Sequence, residues 1–212
     1  REVYGNVVLT QGDVRITCSK AVQFISRNDA ELIGNVIVKQ QNVTITTPHG
    51  FYYGDERVAR SNSGVVLDDQ KVILSAKNGE YYFNESRAYF VDSVKLYDTV
   101  STLTSYELTY FKNENRAVAV QNVKIVDADN IIEADSLEHF RDTRITFADQ
   151  NVKIRNFVNN VVIYGNHLED YALKDYTYIA EDPLLIQIDT TYLAEAGTEE
   201  DSASFRLDML LI

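Results

Sequence analysis

The fold is decided by the stretch Gly34-Asn35-Val36-Ile37-Val38-Lys39-Gln40, because parts of it return at a fixed distance along the whole chain. Counting from Val36 in steps of 29 residues, in both directions, meets a valine every time. The six positions are Val7, Val36, Val65, Val94, Val123 and Val152. An interval that is kept without insertion means that each repeat stacks on its neighbours in the same way. The sequence therefore predicts a stack of about six repeats, and its function has to be one that a continuous stack can perform.

Two further apolar columns follow the same interval. Two residues beyond each valine stand Leu9, Val38, Leu67, Leu96, Ile125 and Ile154. Nine residues beyond it stand Ile16, Ile45, Leu74, Leu103, Ile132 and Val161. Residues two apart on a strand point to the same face, so the columns predict one apolar ladder that runs through the stack. The periodicity leaves open whether this interior is a closed core or an open apolar groove.

Three polar bends divide each repeat into extended segments. In the second repeat the first bend is Gln40-Gln41-Asn42, the second is Gly54-Asp55-Glu56-Arg57, and the third, before the leading valine, is Gly34-Asn35. Such residues favour turns, and β-branched residues fill the segments between them. No segment has a sustained helical period, which predicts an all-β protein. The short corners favour antiparallel zigzags with two strands on each wall, ~58 Å long for six repeats, over a parallel β-helix of ~29 Å.

The composition excludes several classes of function. The chain has 212 residues, of which 45% are hydrophobic, and a formal net charge of −12. A nucleic-acid groove needs a basic stripe to replace counterions, and none is present, so no nucleic-acid partner is expected. The longest apolar run is far below the ~18 residues of a membrane-spanning helix. No signal peptide opens the chain, which begins as a repeat enters its first strand.

Candidate catalytic and metal-binding residues are sparse. The three histidines, His49, His139 and His167, are neither periodic nor close in sequence. The single cysteine, Cys18, stands where other repeats hold small residues, which predicts a buried filler. The acidic run in residues 127–135 has the spacing to bind Ca²⁺ or to supply the acids of a glycosidase, but such runs more often form a solvated strand face. We therefore expect no enzyme activity, no catalytic residue, no metal and no cofactor.

Two regions are predicted along the chain. Residues 1–179 form a β-repeat domain, and residues 180–212 comprise a terminal edge strand, an acidic loop and an apolar tail. The strand is expected in residues 182–188, with Pro183 near its start where no N–H donor is needed. The acidic loop is expected in residues 194–204. The ends of such a stack are open sheet edges, which recruit further strands.

Several stretches resemble the repeat of the OstA/LptA family. They are Tyr4–Ile16, Ala30–Gln40 and Ile131–Asp135, and the resemblance covers residues 1 to about 165. The recurring phrase of the family is Ala-x-Gly-Asn-Val-x-aliphatic, then Gln and a polar turn, then Ile-x-Ala-Asp. This chain differs from the family in its longer repeats and in the loss of Gly-Asn at Ser63-Gly64 and Asp92-Ser93.

The resemblance implies a twisted β-jellyroll, or taco, in the periplasm of a bacterium with two membranes. Its groove would hold the acyl chains of lipopolysaccharide or lipid A as part of a transport bridge between the membranes. The implied protein partners are related β-jellyroll transport proteins or a second copy, joined end to end through the open sheet edges. The lipid-binding candidates, taken from the apolar ladder, are Val36, Val38, Ile45, Val65, Leu67, Leu74, Val94, Leu96, Leu103, Val123, Ile125 and Ile132.

Two other functions remain compatible with a repeated β stack. A carbohydrate-active enzyme on a parallel β-helix would carry a carboxylate cluster on one outer face. A passive structural or adhesive stack would have a sealed core and no cargo. Lipid transport is the function that we predict.

Overall fold

The computed structural model describes residues 1–189 and 206–210, and in these residues 17 strands join into one sheet. The strands are β1 (Glu2–Gln11), β2 (Val14–Phe24), β3 (Asp29–Gln40), β4 (Val43–Tyr53), β5 (Val58–Ser61), β6 (Val65–Asp68), β7 (Ile73–Ala76), β8 (Asn78–Tyr82), β9 (Arg87–Tyr97), β10 (Thr102–Phe111), β11 (Arg116–Val126), β12 (Asn130–Phe140), β13 (Ile145–Asn156), β14 (Val161–Tyr171), β15 (Tyr176–Ala180), β16 (Leu184–Asp189) and β17 (Arg206–Leu210). Short 3-10 turns occupy three of the second bends, at Ile25–Arg27, Lys112–Glu114 and Ala172–Lys174.

The chain runs through this sheet as an antiparallel meander. Each rung pairs with the rung before it and the rung after it, and every pair among the described strands is antiparallel. Strands β5 and β6 share one rung, as do β7 with β8 and β15 with β16. The structure confirms the all-β stack of antiparallel zigzags and excludes the parallel β-helix.

Each rung is bent near its middle. Between β3 and β4 the register breaks from Ile33 to Val36, where Gly34 and Asn35 have φ angles of 74° and 49°. Positive φ angles of this size belong to the left-handed region, which glycine and asparagine adopt most readily. The same paired conformation recurs at Asp92-Ser93, Gln121-Asn122 and Gln150-Asn151. These bends, predicted from the sequence as the third turn of each repeat, form a line that we call the crease.

The crease divides the sheet into two walls that pack face to face. Wall A consists of the segments between the crease and the first bends, such as residues 36–40. Wall B consists of the segments between the crease and the second bends, such as residues 29–33. Alternate residues of both walls are buried in one continuous hydrophobic cluster that extends from Val7 to Leu168. The first and second bends meet along the opposite side of the molecule, and we call this line the seam.

The sheet has an edge strand at each end. Among the described residues, β1 pairs with β2 alone and β17 pairs with β16 alone. Pro183 stands directly before β16, and β17 adds outside β16. The acidic loop that the sequence predicts at residues 194–204 lies outside the described residues.

Candidate functional site

The interior between the walls contains all twelve predicted lipid-binding residues. Each of them is buried, and all belong to the same hydrophobic cluster. Leu74 is completely buried, whereas Ile125 and Ile132 are each 8% exposed, the highest value among the twelve. That these residues contact lipid stays a prediction, and the structure adds where along the stack they are least enclosed.

The middle of the stack is tightly packed. The cavity between Val36, Val65 and Phe90 has a volume of about 20 Å³. A single water molecule needs a volume of about this size, so no acyl chain fits here unless the walls move apart. In the middle repeats the interior is therefore a closed core rather than an open groove.

The seam closes the first repeat through hydrogen bonds between the two walls. The side-chain nitrogen Nε2 of Gln11 donates to the carbonyl oxygen of Gly54 at 3.1 Å, and the hydroxyl of Tyr52 donates to Oε1 of Gln11 at 2.7 Å. Arg57 forms an ion pair with Asp13 beside them. Gln11 and Asp13 belong to the first bend, and their partners belong to wall B or its second bend, so these contacts fasten one wall to the other.

Residues 41 positions apart take the same places on the two sides of the seam in successive repeats. The 29-residue interval carries the Gln11 and Tyr52 positions along the chain. The successive pairs are Gln11 and Tyr52, Gln40 and Tyr81, Asp69 and Tyr110, Asp98 and His139, and Asp127 and Leu168. The residue on wall B thus changes from tyrosine to histidine and then to leucine, which has no polar atom.

The third pair is the most enclosed polar contact of the seam. Asp69 is 1% exposed, and its Oδ1 accepts hydrogen bonds from the backbone N–H groups of Lys71 and Val72, both at 2.9 Å. The hydroxyl of Tyr110, which is completely buried, donates to Oδ2 of Asp69 at 2.8 Å. Burial and then the Asp69 carboxylate raise the pKa of Tyr110 above its ordinary value, so the hydroxyl keeps its proton and remains a donor.

The fourth pair is reinforced by an ion pair that we call the latch. Nε of Arg141 lies 3.3 Å from Oδ2 of Asp98, and both side chains are largely buried. Burial acts to raise the pKa of Asp98, but the backbone N–H groups of Ser101 and Val100 and the Arg141 guanidinium outweigh it, and the pKa lies below its ordinary value. Burial also lowers the pKa of His139, which favours a neutral imidazole.

The fifth pair lacks a latch. Asp127 stands 29 residues after Asp98, and Asp170 stands 29 residues after Arg141. A carboxylate therefore occupies the place of the guanidinium. Burial raises the pKa of Asp170 above its ordinary value, and the charge of Asp127 raises it further, against the effect of a hydrogen bond from the Thr177 hydroxyl.

A cavity of about 320 Å³ opens between the latch and this carboxylate pair. Its lining includes Ile125 and Ile132 on the inside and hydroxyl groups of Thr99, Ser101 and Thr146. The charged or titratable residues around it are Asp98, Asp127, His139, Arg141, Arg144 and Asp170. This is the place where the predicted apolar ladder comes within reach of solvent.

The seam was not visible to the sequence analysis, although part of its signal was present. Tyr52, Tyr81 and Tyr110 keep the 29-residue interval, as the predicted apolar columns do. Their partners across the seam change from glutamine to aspartate, so the pairs become recognisable only once the walls are placed face to face.

The acidic run and the histidines have structural partners in place of a shared site. Glu133 contacts Lys124 and Lys153, and Asp135 accepts a hydrogen bond from Asn151. The histidines bond separately, His49 to Glu31, His139 to Thr146 and His167 to Asp149. Within the residues that the structure describes, no three His, Cys, Asp or Glu side chains are grouped so that they could hold a metal ion. In the same residues no helix is long and apolar enough to span a membrane.

Comparison with solved structures finds LptH from Pseudomonas aeruginosa, which is described as the LptA homologous periplasmic component of the conserved lipopolysaccharide transport device. The two chains are 13% identical, 94% of each is covered, and the TM-score is 0.27. No curated protein matches the chain. A family model described as OstA-like protein matches residues 1–135, which is more than half of the 212 residues. The chain therefore belongs to the OstA-like protein family.

Proposed function

We propose that the protein binds the acyl chains of lipopolysaccharide or lipid A between its walls and carries this lipid across the periplasm. The observation that carries the proposal is the unbroken apolar interior, which extends from Val7 to Leu168 and comes within reach of solvent at Ile125 and Ile132. The structure of LptH, a periplasmic transport component, covers 94% of this chain, in keeping with the same setting.

The energetics of such binding come from the apolar ladder alone. Burying a methylene group stabilises a complex by ~0.8 kcal/mol, so a chain of fourteen carbons gains roughly 10 kcal/mol before the cost of separating the walls is subtracted. Because the net charge of −12 repels phosphate groups, the phosphorylated sugars of lipid A stay outside the walls. Binding is then driven by the chains rather than by the head group.

Transport between two membranes also requires contacts between proteins. The free edges of β1 and β17 present unpaired backbone N–H and C=O groups, which another β-sheet can extend. We propose that related β-jellyroll proteins, or a second copy of this chain, add at these edges and continue the apolar interior as one bridge.

A passive structural stack is the second candidate function. It is favoured by the cavity of only about 20 Å³ in the middle repeats, which is the packing expected of a core without cargo. The two candidates differ in one respect, namely whether lipid reaches the interior isoleucines.

Methyl NMR of isoleucine-labelled protein tests the proposal without any substitution. The probe is lipid A whose acyl chain carries a doxyl spin label, which broadens the signals of nearby methyl groups. We expect broadening of Ile125 and Ile132, while Ile25 and Ile73, which are 69% and 46% exposed, serve as surface controls. Equal broadening of both sets, or none up to saturation with the probe, would favour the passive stack.

A further inference from the structure

We propose that the acyl chain enters the interior sideways through the seam, at a portal bounded by the Asp98–Arg141 latch and the Asp127–Asp170 pair. The head group of the lipid would remain outside at this point. The inference rests on the proposed function and names the place at which its binding site is reached.

The first argument is the reversal of charge at one repeat-equivalent position. In the fourth pair the Arg141 guanidinium attracts the Asp98 carboxylate and holds wall A against wall B. In the fifth pair Asp170 replaces the arginine and faces the carboxylate of Asp127. An attractive contact thus becomes a repulsive one within a single repeat, and the seam loses its fastening there.

The second argument is the loss of the hydrogen-bonding side chain on wall B. Tyr52 and Tyr110 each donate a hydroxyl across the seam, at 2.7 and 2.8 Å. The equivalent position in the fifth pair is Leu168, which is completely buried and can donate nothing. Both polar contacts that close the earlier repeats are therefore missing from the same rung.

The third argument is the cavity at this rung. Its volume of about 320 Å³ lies in the range of small-ligand sites, whereas the cavity in the packed middle has about 20 Å³. Ile125 and Ile132 lie on its inner side, and hydroxyl groups and carboxylates surround its opening. An apolar interior beneath a polar rim suits an amphiphile whose chain points inward and whose sugars remain in water.

The other end of the seam is less suited to this role. The cavity beside Gln11 and Tyr52 has a volume of about 140 Å³, less than half that of the portal. Gln11 and Tyr52 are bonded to each other there, and Asp13 is held by Arg57. Uptake at this end would have to break these contacts first.

The test alters the fastening and measures the rate of uptake. Asp170→Arg restores the residue type of the preceding repeat and gives Asp127 an ion-pair partner, which closes the portal. Arg141→Asp removes the latch and widens the opening. Glu56→Arg, at an exposed position in another bend, makes the same change in charge as Asp170→Arg away from the portal and serves as the control.

The probe is monoparinaroyl glycerol, a neutral lipid whose conjugated chain fluoresces in apolar surroundings, mixed with the full chain in a stopped-flow instrument. We expect the uptake rate to fall about tenfold or more in Asp170→Arg, to rise in Arg141→Asp and to stay unchanged in Glu56→Arg. The equilibrium affinity should change far less than the rate in Asp170→Arg, because the interior itself is intact. Circular dichroism of each variant confirms that it is folded.

The outcomes separate this inference from the proposed function. Saturable binding by the wild type, with equal uptake rates in both portal variants, would overturn the portal and leave lipid binding intact. An Asp170→Arg variant that fails to fold leaves Arg141→Asp to decide, since a rate that does not rise in that variant contradicts the portal. No binding by the wild type at any concentration would overturn both.

Discussion

The Tyr110 hydroxyl donates a 2.8 Å hydrogen bond to Oδ2 of Asp69 and so joins the two walls of the sheet inside the seam. Tyr81 occupies the equivalent position one repeat earlier and is equally buried, at 1% exposure. Its hydroxyl has no hydrogen-bond partner within the part of the chain that the structure describes. The two tyrosines form a matched pair, alike in burial and different in bonding.

This pair predicts opposite effects of one chemical change. Tyr110→Phe removes a donor from the buried Asp69 carboxylate, and leaving such a group short of a partner costs about 1–3 kcal/mol. Tyr81→Phe removes a buried hydroxyl that has no partner, so it should be neutral or stabilising. Urea denaturation of both variants measures the free energy of unfolding. Equal losses in the two variants would contradict the assigned bonding.

Asp170 predicts a stability that increases on mild acidification. Its pKa is raised in the folded state, mainly by burial and then by Asp127, so folding favours its protonated form. The stability gained in this way grows as the pH falls through the folded pKa and is complete below the ordinary value of ~3.9. Asp170→Asn should therefore be more stable than the wild type at pH 7, and the difference should disappear towards pH ~4.

Asp98 predicts the opposite dependence and provides the control. Its pKa is lowered in the folded state, so its contribution is present above the ordinary value of ~3.9 and is lost as the pH falls through the lower, folded value. Asp98→Asn should destabilise the protein at pH 7, and this loss should shrink only at pH values below ~4. Urea denaturation between pH 3 and 7 measures both variants. A destabilising effect of Asp170→Asn at pH 7 would be incompatible with a repulsive fifth pair.

Cys18 predicts a thiol that is inert in the folded protein. It is 6% exposed, and burial raises its pKa above the ordinary value, so little thiolate forms at neutral pH. Its Sγ lies 3.1 Å from the carbonyl oxygen of Lys20, the same contact that Thr47 and Ser105 make two residues along their own strands. Cys18→Ser should keep this contact and change stability little.

A thiol reagent with a coloured leaving group measures this directly. We expect labelling of the wild type only at the rate of unfolding, with a large increase above the urea midpoint. Rapid labelling in native buffer would show that the small-residue position near the crease is open to solvent and would contradict the packing described above.

The free edge of β1 predicts a pair of proline variants with different effects. Successive N–H groups of a strand point alternately to its two sides, and proline removes the N–H of its own residue. Of Val8→Pro and Leu9→Pro, one variant should weaken pairing with β2 and lower stability. The other should leave stability nearly unchanged and suppress association through the edge. Sedimentation velocity over a range of concentrations measures association, and wild-type protein that stays monomeric throughout would argue against self-assembly at β1.

The fold could be predicted from the sequence because its cause is local and repeated. The valine column specifies the interval, and residues such as Gly34 and Asn35 adopt the left-handed conformation that the crease requires. Alternation along each strand then places Val36 and Val38 on the inner face. Each of these properties can be read from one repeat without knowing how the walls meet.

The seam could not be predicted in the same way. The contact of Asp98 with Arg141 joins residues 43 positions apart, and it exists only after two walls have closed on each other. The substitution of aspartate at position 170 looks like ordinary variation on a polar corner until Asp127 is known to face it. The packing of the middle repeats likewise depends on how side chains from both walls fill the space between them, which periodicity does not report.

The most direct test of lipid carriage is native mass spectrometry, with lipid extraction, on protein purified from a bacterial envelope that makes lipopolysaccharide. The account predicts that lipid A species co-purify with the wild type and that Asp170→Arg, folded but with its portal closed, carries less of them. Wild-type protein without any acyl lipid, over a range of protein concentrations, would contradict lipid carriage and identify the interior as a closed structural core.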